Sequence, residues 1–187
     1  MGRQSSSQRE LCFISGKCKT GLTRLVRTLT YLSLGSNLGD RRVNLRDAIA
    51  RLESYGDIAS VSSFYETEPV GVTEQPWFLN CAVGLETERT HQQLMSAALG
   101  IEREMGRHRT QTKGPRTIDI DILLFGNTVL SSPELTIPHP AMRERRFVLE
   151  PLSEIAPDTW HPVFQRTIRE LRDELPPGQD VQKLEKK

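Results

Sequence analysis

"GPRTIDIDILLFG", residues 114–126, has the composition of a buried β-strand and two charges that such a strand should not hold. β-branched and apolar residues bounded by glycines are how a core strand reads. Side chains alternate along a strand, so Asp119 and Asp121 point the same way, roughly 7 Å apart. At an effective dielectric near 20 their repulsion is about 2 kcal/mol, before any cost of desolvation. An antiparallel sheet covered by helices on one face accommodates the pattern: Ile118, Ile120 and Ile122 face the helices and both aspartates face the open side.

The segments on either side fit that sheet. Leu29 to Ser36 (LTYLSLGS) reads as a short strand ending in a glycine turn. Asp40 is the expected N-cap of a helix whose stripe is Leu45, Ala48, Ile49 and Leu52. Ile58 to Pro69 and Trp77 to Glu88 read as the next two strands. Thr90 to Gln93 forms a capping box, followed by a helical stripe of Leu94, Ala97, Ala98, Ile101 and Met105. A polar loop, Arg107 to Lys113, leads into the opening strand. Beyond it come a Pro-rich loop, a basic helical segment (Met142 to Ile155) and a charged tail expected to fray after Leu175. The order strand, helix, strand, strand, helix, strand predicts an α+β, ferredoxin-like (βαββαβ) fold. Its antiparallel sheet carries helices on one face, with extra C-terminal helical segments.

The chain has 187 residues, 36% hydrophobic and 26% charged, the range of one globular domain with a real core. No apolar run reaches the roughly 20 residues that span a bilayer, so no membrane association is expected. Cys12, Cys18 and Cys81 are odd in number and lack CxxC spacing, which gives neither a disulfide framework nor a zinc site. Charge is uneven: residues 1–28 hold six Lys/Arg against Glu10, and the remainder holds 19 basic and 23 acidic residues. A mildly acidic body argues against a nucleic-acid binder. Three segments are expected: a basic Ser-rich extension (1–28), a catalytic domain (29–175) and a charged tail (176–187). A cytoplasmic monomer is the default.

Around the two aspartates stand Arg107, Arg109 and Arg116 upstream and His139, Arg143, Arg145 and Arg146 downstream. Carboxylates on a rigid strand suit Mg²⁺, a hard cation with oxygen ligands, and guanidiniums on adjoining loops suit phosphate oxygens. A bound metal also removes the repulsion between the aspartates. No P-loop, HExxH or GxSxG pattern occurs, and GSNLGD (Gly35 to Asp40) reads as a tight turn at least as readily as a phosphate loop. A second cluster suits a flat, hydrogen-bonding substrate. Thr67 to Gly71 form a constrained loop, Phe78 and Asn80 share a strand face, and Phe147 lies near Arg145. Two rivals compete with an enzyme of polyphosphate chemistry: a non-catalytic ferredoxin-like metabolite-binding module, and a metal-dependent nuclease.

YLSLGSNLGDRRVNL, SSFYETEPVG, QPWFLNCAV, GPRTIDIDILLFG and LTIPHPAMRERRFVLEPLSEIAP resemble, in order and spacing, the 6-hydroxymethyl-7,8-dihydropterin pyrophosphokinases of folate biosynthesis. The resemblance covers roughly Leu29 to Pro162. It implies transfer of the diphosphate of ATP to the pterin hydroxymethyl group, with release of AMP and two Mg²⁺ ions as cofactors. It implies Asp119 and Asp121 as metal ligands, and Arg107, Arg116 and Asp121 as catalytic residues. Glu102, Arg109, Ile122, Ile137, His139 and Arg145 fall on the ATP side. Thr67, Pro69, Val70, Phe78, Asn80 and Phe147 fall on the pterin side, the two phenylalanines as stacking rings. Some members carry Arg-Trp before the Gly-Pro; Thr112 and Lys113 stand here, and weaker closure of that loop over the nucleotide is expected.

Overall fold

The computed structural model describes residues 26–69, 74–107 and 114–185. β1 (Thr28–Ser36) leads through a turn into α1 (Arg41–Leu52), which starts where the Asp40 carboxylate accepts from the backbone N–H groups of Arg42 and Val43. β2 (Asp57–Val61) and β3 (Tyr65–Thr67) precede β4 (Phe78–Thr87), and α2 (His91–Glu104) opens with the expected Thr90–Gln93 capping box. β5 (Asp119–Phe125) follows, then the short pair β6 (Leu130–Ser131) and β7 (Thr136–Ile137). α3 (Arg146–Ile155), the pair β8 (Trp160–His161) and β9 (Arg166–Thr167), α4 (Ile168–Asp173) and β10 (Val181–Lys183) complete the order.

Six strands form one antiparallel sheet in the order β10-β3-β4-β1-β5, with β2 also paired to β4. The single strand expected over residues 58–69 is two strands. Between them Ser62 donates its N–H to the Ala82 carbonyl and accepts the Ala82 N–H on its hydroxyl, while Ser63 turns to bind Glu154. These side-chain bonds replace the regular ladder at the break.

Alternation divides the sheet between two cores. Leu32, Leu34, Leu79, Cys81, Val83, Leu85, Ile118, Ile120 and Ile122 meet Leu45, Ala48 and Leu52 of α1 and Leu94, Ala98 and Ile101 of α2. From the opposite face Tyr31, Ala82, Leu123 and Leu124 meet Val148, Leu149 and Leu152 of α3 and Ile168 and Leu171 of α4. Each fully buried leucine contributes about 2 kcal/mol of transfer free energy. The expectation of helices on one face therefore holds for α1 and α2 only. The extra C-terminal helices cover part of the second face, because the apolar side chains there need burial too. The expected fraying after Leu175 is likewise corrected: β10 pairs with β3 in the register Val181↔Thr67, Gln182↔Glu66, Lys183↔Tyr65.

A bulge in β5 lets one strand serve both cores. Leu32 pairs with Ile122 and Tyr31 with Leu124, which leaves Leu123 as the extra residue. Its carbonyl, released from the ladder, accepts the N–H of His139 at 2.9 Å.

Candidate active site

The end of the second face that α3 leaves uncovered carries the chemistry. Across the sheet the register aligns Asn80 with Gly35 and Gly35 with Asp119, and then Ala82 with Ser33 and Ser33 with Asp121. The central strand therefore contributes only Gly35 and Ser33 between the two flanking polar groups. A Cβ on Gly35 would lie 2.5 Å from the Asn80 amide oxygen, so glycine is required by this close approach.

Asp119 and Asp121 alternate with buried isoleucines, as the spacing predicts, but their surroundings differ. One Asp119 oxygen accepts from Arg107 at 2.6 Å and the other from Arg116 at 2.7 Å. Arg107 also binds the buried Glu102, whose carboxylate accepts the Ile120 N–H at 2.8 Å. Glu102 thus joins the end of α2 to the strand that holds the aspartates. Among the described residues Asp121 has only loose cationic neighbours, Arg145 at 3.8 Å and His139 at 3.9 Å. Burial, and then the Asp119 charge, push its carboxyl above the ordinary range. Burial pushes the His139 imidazole below its own, against the pull of Asp121. His139 Nδ1 accepts the Ala141 N–H at 3.2 Å, which leaves the ring proton on Nε2, the nitrogen facing Asp121.

Two arginines connect these carboxylates to aromatic rings. Arg116 lies over Phe78 at 5.4 Å and Arg145 over Phe147 at 5.7 Å. Arg116 Nε is buried without an acceptor among the described residues, an orphaned donor at the centre of the site. Beside Phe78, Asn80 donates to the Thr67 hydroxyl at 2.7 Å, and both are buried. Pro69 is also buried next to them.

The sequence-predicted residues thus fall into two touching groups. Asp119, Asp121, Arg107, Arg116, His139, Arg145 and Glu102 surround the carboxylates, and Thr67, Phe78 and Asn80 line the adjoining β3–β4 edge. Phe147 joins them through Arg145. Ile122 and Ile137 lie in the first core, 3% and 1% exposed. Val70, Arg109, Thr112 and Lys113 lie outside the described residues, so the loop-closure expectation does too. Cys81 is buried in the first core and its thiol is pushed up to about 12, unsuited to nucleophilic work.

Sequence reasoning missed Asn37. Buried in the β1–α1 turn, it accepts the Arg116 N–H on its side chain at 2.7 Å and donates its own N–H to the Arg116 carbonyl at 3.1 Å. Its amide also donates to Gln75 and to the Pro76 carbonyl. GSNLGD is therefore a clamp on the GPR segment, and the asparagine inside it was the signal available.

Among the described residues no group of three or more His, Cys, Asp or Glu could form an all-protein metal cage. The donor set nevertheless fits Mg²⁺, which uses one or two carboxylates and completes its shell with water and substrate phosphates. Asp121 is the carboxylate with oxygen lone pairs to spare, since among the described residues its nearest cationic neighbours, Arg145 and His139, stand 3.8 and 3.9 Å away.

The family model described as 7,8-dihydro-6-hydroxymethylpterin-pyrophosphokinase matches residues 31–157. A Bacillus subtilis 2-amino-4-hydroxy-6-hydroxymethyldihydropteridine pyrophosphokinase is 46% identical over 132 residues, covering 70% of this chain and 79% of that protein. The folic acid synthesis protein fol1 of Schizosaccharomyces pombe is 43% identical over 150 residues, 79% of this chain and 20% of its own length. A Plasmodium falciparum HPPK-DHPS crystal structure superposes with a TM-score of 0.65 at 20% identity, covering 82% of this chain and 45% of that one. The chain thus spans about a fifth of the fungal relative and under half of the Plasmodium protein.

Proposed function

Because the chain belongs to the 7,8-dihydro-6-hydroxymethylpterin-pyrophosphokinase family, we propose that it transfers the diphosphate of ATP to the hydroxymethyl group of 6-hydroxymethyl-7,8-dihydropterin, releasing AMP, on a ferredoxin-like βαββαβ scaffold. The observation that carries this reading is the carboxylate pair on β5 ringed by Arg107, Arg116, His139 and Arg145, directly beside the Thr67–Phe78–Asn80 edge.

Arg107 and Arg116 turn from Asp119 to phosphate oxygens, and the orphaned Arg116 Nε gains its acceptor there. His139 Nε2 and Arg145 add donors on the nucleotide side. Asn80 reads the polar edge of the pterin while Phe78 and Phe147 bracket its faces, which requires both guanidiniums to leave the rings. In the transfer the hydroxymethyl oxygen bonds to the β-phosphorus and the bond to the α,β-bridging oxygen breaks. AMP leaves with the electron pair, and the hydroxyl proton passes to solvent. Mg²⁺ ions held by Asp119 and Asp121, two of them in the family, would neutralise the polyphosphate charge. Positioning and charge neutralisation supply most of the acceleration in such reactions.

One assay tests the reading: AMP release from ATP with Mg²⁺, with and without the reduced hydroxymethylpterin. Pterin-dependent release is expected. Release that ignores the pterin sinks it, and no release at all sinks it in favour of the binding module.

A further inference from the structure

β10 and the two residues before it lie beyond the family-matched range, which ends at residue 157, yet they touch both walls of the pterin side. The Gln179 amide donates to the Glu68 carbonyl at 3.1 Å, between Thr67 and Pro69. The same amide accepts the Phe147 N–H at 3.3 Å, at the first turn of α3. One side chain thus bridges the strand edge that reads a substrate and the ring that would stack on it. The bridge is fixed in register by its neighbours. Glu68 donates its N–H to the Asp180 carbonyl at 3.2 Å, Val181 pairs with Thr67, and Leu184 donates to the Phe64 carbonyl at 2.8 Å. Lys183 pairs with Glu154 on α3 at 3.3 Å. Without these contacts β3 would be a three-residue edge strand with little to hold it.

We infer that residues 179–184 are a strap across the pterin side of the site, and that Gln179 is a positioning residue that sets the gap between Thr67–Pro69 and Phe147. The inference rests on the proposed assignment of those two walls to the pterin. A strap of this kind acts on one substrate: among the described residues none of its hydrogen bonds or ion pairs reaches Asp119, Asp121, Arg107, Arg116 or Arg145. A strand that merely covers an edge would alter stability and leave both substrates alike.

The test uses the full chain and three forms: wild type, Gln179→Ala, and Gln182→Ala as an exposed control on the same strand. Gln179→Ala removes two neutral hydrogen bonds, and it is expected to raise the KM for the hydroxymethylpterin about tenfold. kcat and the KM for ATP stay within twofold, and Gln182→Ala matches wild type. Amide exchange at Phe147 and across residues 66–68, measured without substrates, should quicken about tenfold in Gln179→Ala alone. Unchanged exchange at both segments, or an equal rise in both KM values, overturns the strap. If wild type shows no pterin-dependent AMP release, the functional reading fails by itself, and exchange alone then decides whether Gln179 ties the two segments together.

Discussion

Asp119 and Asp121 share a strand and a face, but removing them has different consequences. Asp119 neutralises two guanidiniums, so Asp119→Ala leaves Arg107 and Arg116 partly buried with one partner fewer each. A cost of about 1–3 kcal/mol is expected. Asp121 accepts no hydrogen bond from the described residues, and its raised carboxyl marks a charge that the fold does not compensate. Asp121→Ala should leave the melting temperature unchanged or slightly higher. Both variants should lose pterin-dependent AMP release at least a hundredfold at saturating Mg²⁺. Parallel melting curves and turnover assays check the pair: equal destabilisation would show that Asp121 is structurally engaged, and near-normal turnover in either would refute its metal role.

Among the elements, α3 carries the most distant obligations. Its Glu154 accepts from the Ser63 N–H and hydroxyl and from the Tyr65 phenol, and it pairs with Lys183. Partial burial alone would push Glu154 up, but these donors outweigh it and hold the carboxyl below its ordinary value. Burial and then Glu154 push the Tyr65 phenol up, which keeps it a donor. A lowered carboxyl stabilises the fold fully above the unfolded value near pH 4.3 and loses that contribution as pH falls through the lower folded value. Glu154→Gln should therefore cost about 1–2 kcal/mol at pH 7, a difference that shrinks in urea titrations as pH falls through the lowered folded value. A constant difference across that range would remove the charge from the account. None of this was legible in the sequence. The Asp40 N-cap, the Thr90–Gln93 capping box, the helical stripes of α1 and α2 and the period-two pattern of β5 are local signals, and each was read correctly from neighbours within a turn or a strand. Glu154 to Ser63, Gln179 to Glu68 and Asn37 to Arg116 span 91, 111 and 79 residues, and no periodicity records such pairings. The aspartates and arginines were legible because charge in an apolar strand is anomalous by itself. The roles of Gly35, Asn37 and Gln179 were not, because glycine, asparagine and glutamine are ordinary residues in turns and tails.

As a whole the molecule is built on one six-stranded sheet with a core on each side, and the two cores share β1, β4 and β5. Neither can be lost while the other keeps its strands. Leu45→Ala in the first core and Leu152→Ala in the second should each cost about 2–5 kcal/mol. Both should shift one common transition, with far-ultraviolet dichroism and near-ultraviolet signals melting together. Separate transitions would show that α3 and α4 form an independent unit. The bulge at Leu123 carries a further consequence for how the gene encoding this protein can vary. It behaves like a change of reading frame: upstream of it, odd positions (Asp119, Asp121) face the second side of the sheet, and downstream the even position Leu124 does. Losing Ile120 alone would make Asp119 and Asp121 adjacent, put them on opposite faces and turn one carboxylate towards the first core. Losing two would keep the phase and shorten only the strand. Length variation inside this strand should therefore be confined to even steps, whereas the loops on either side are free of that parity.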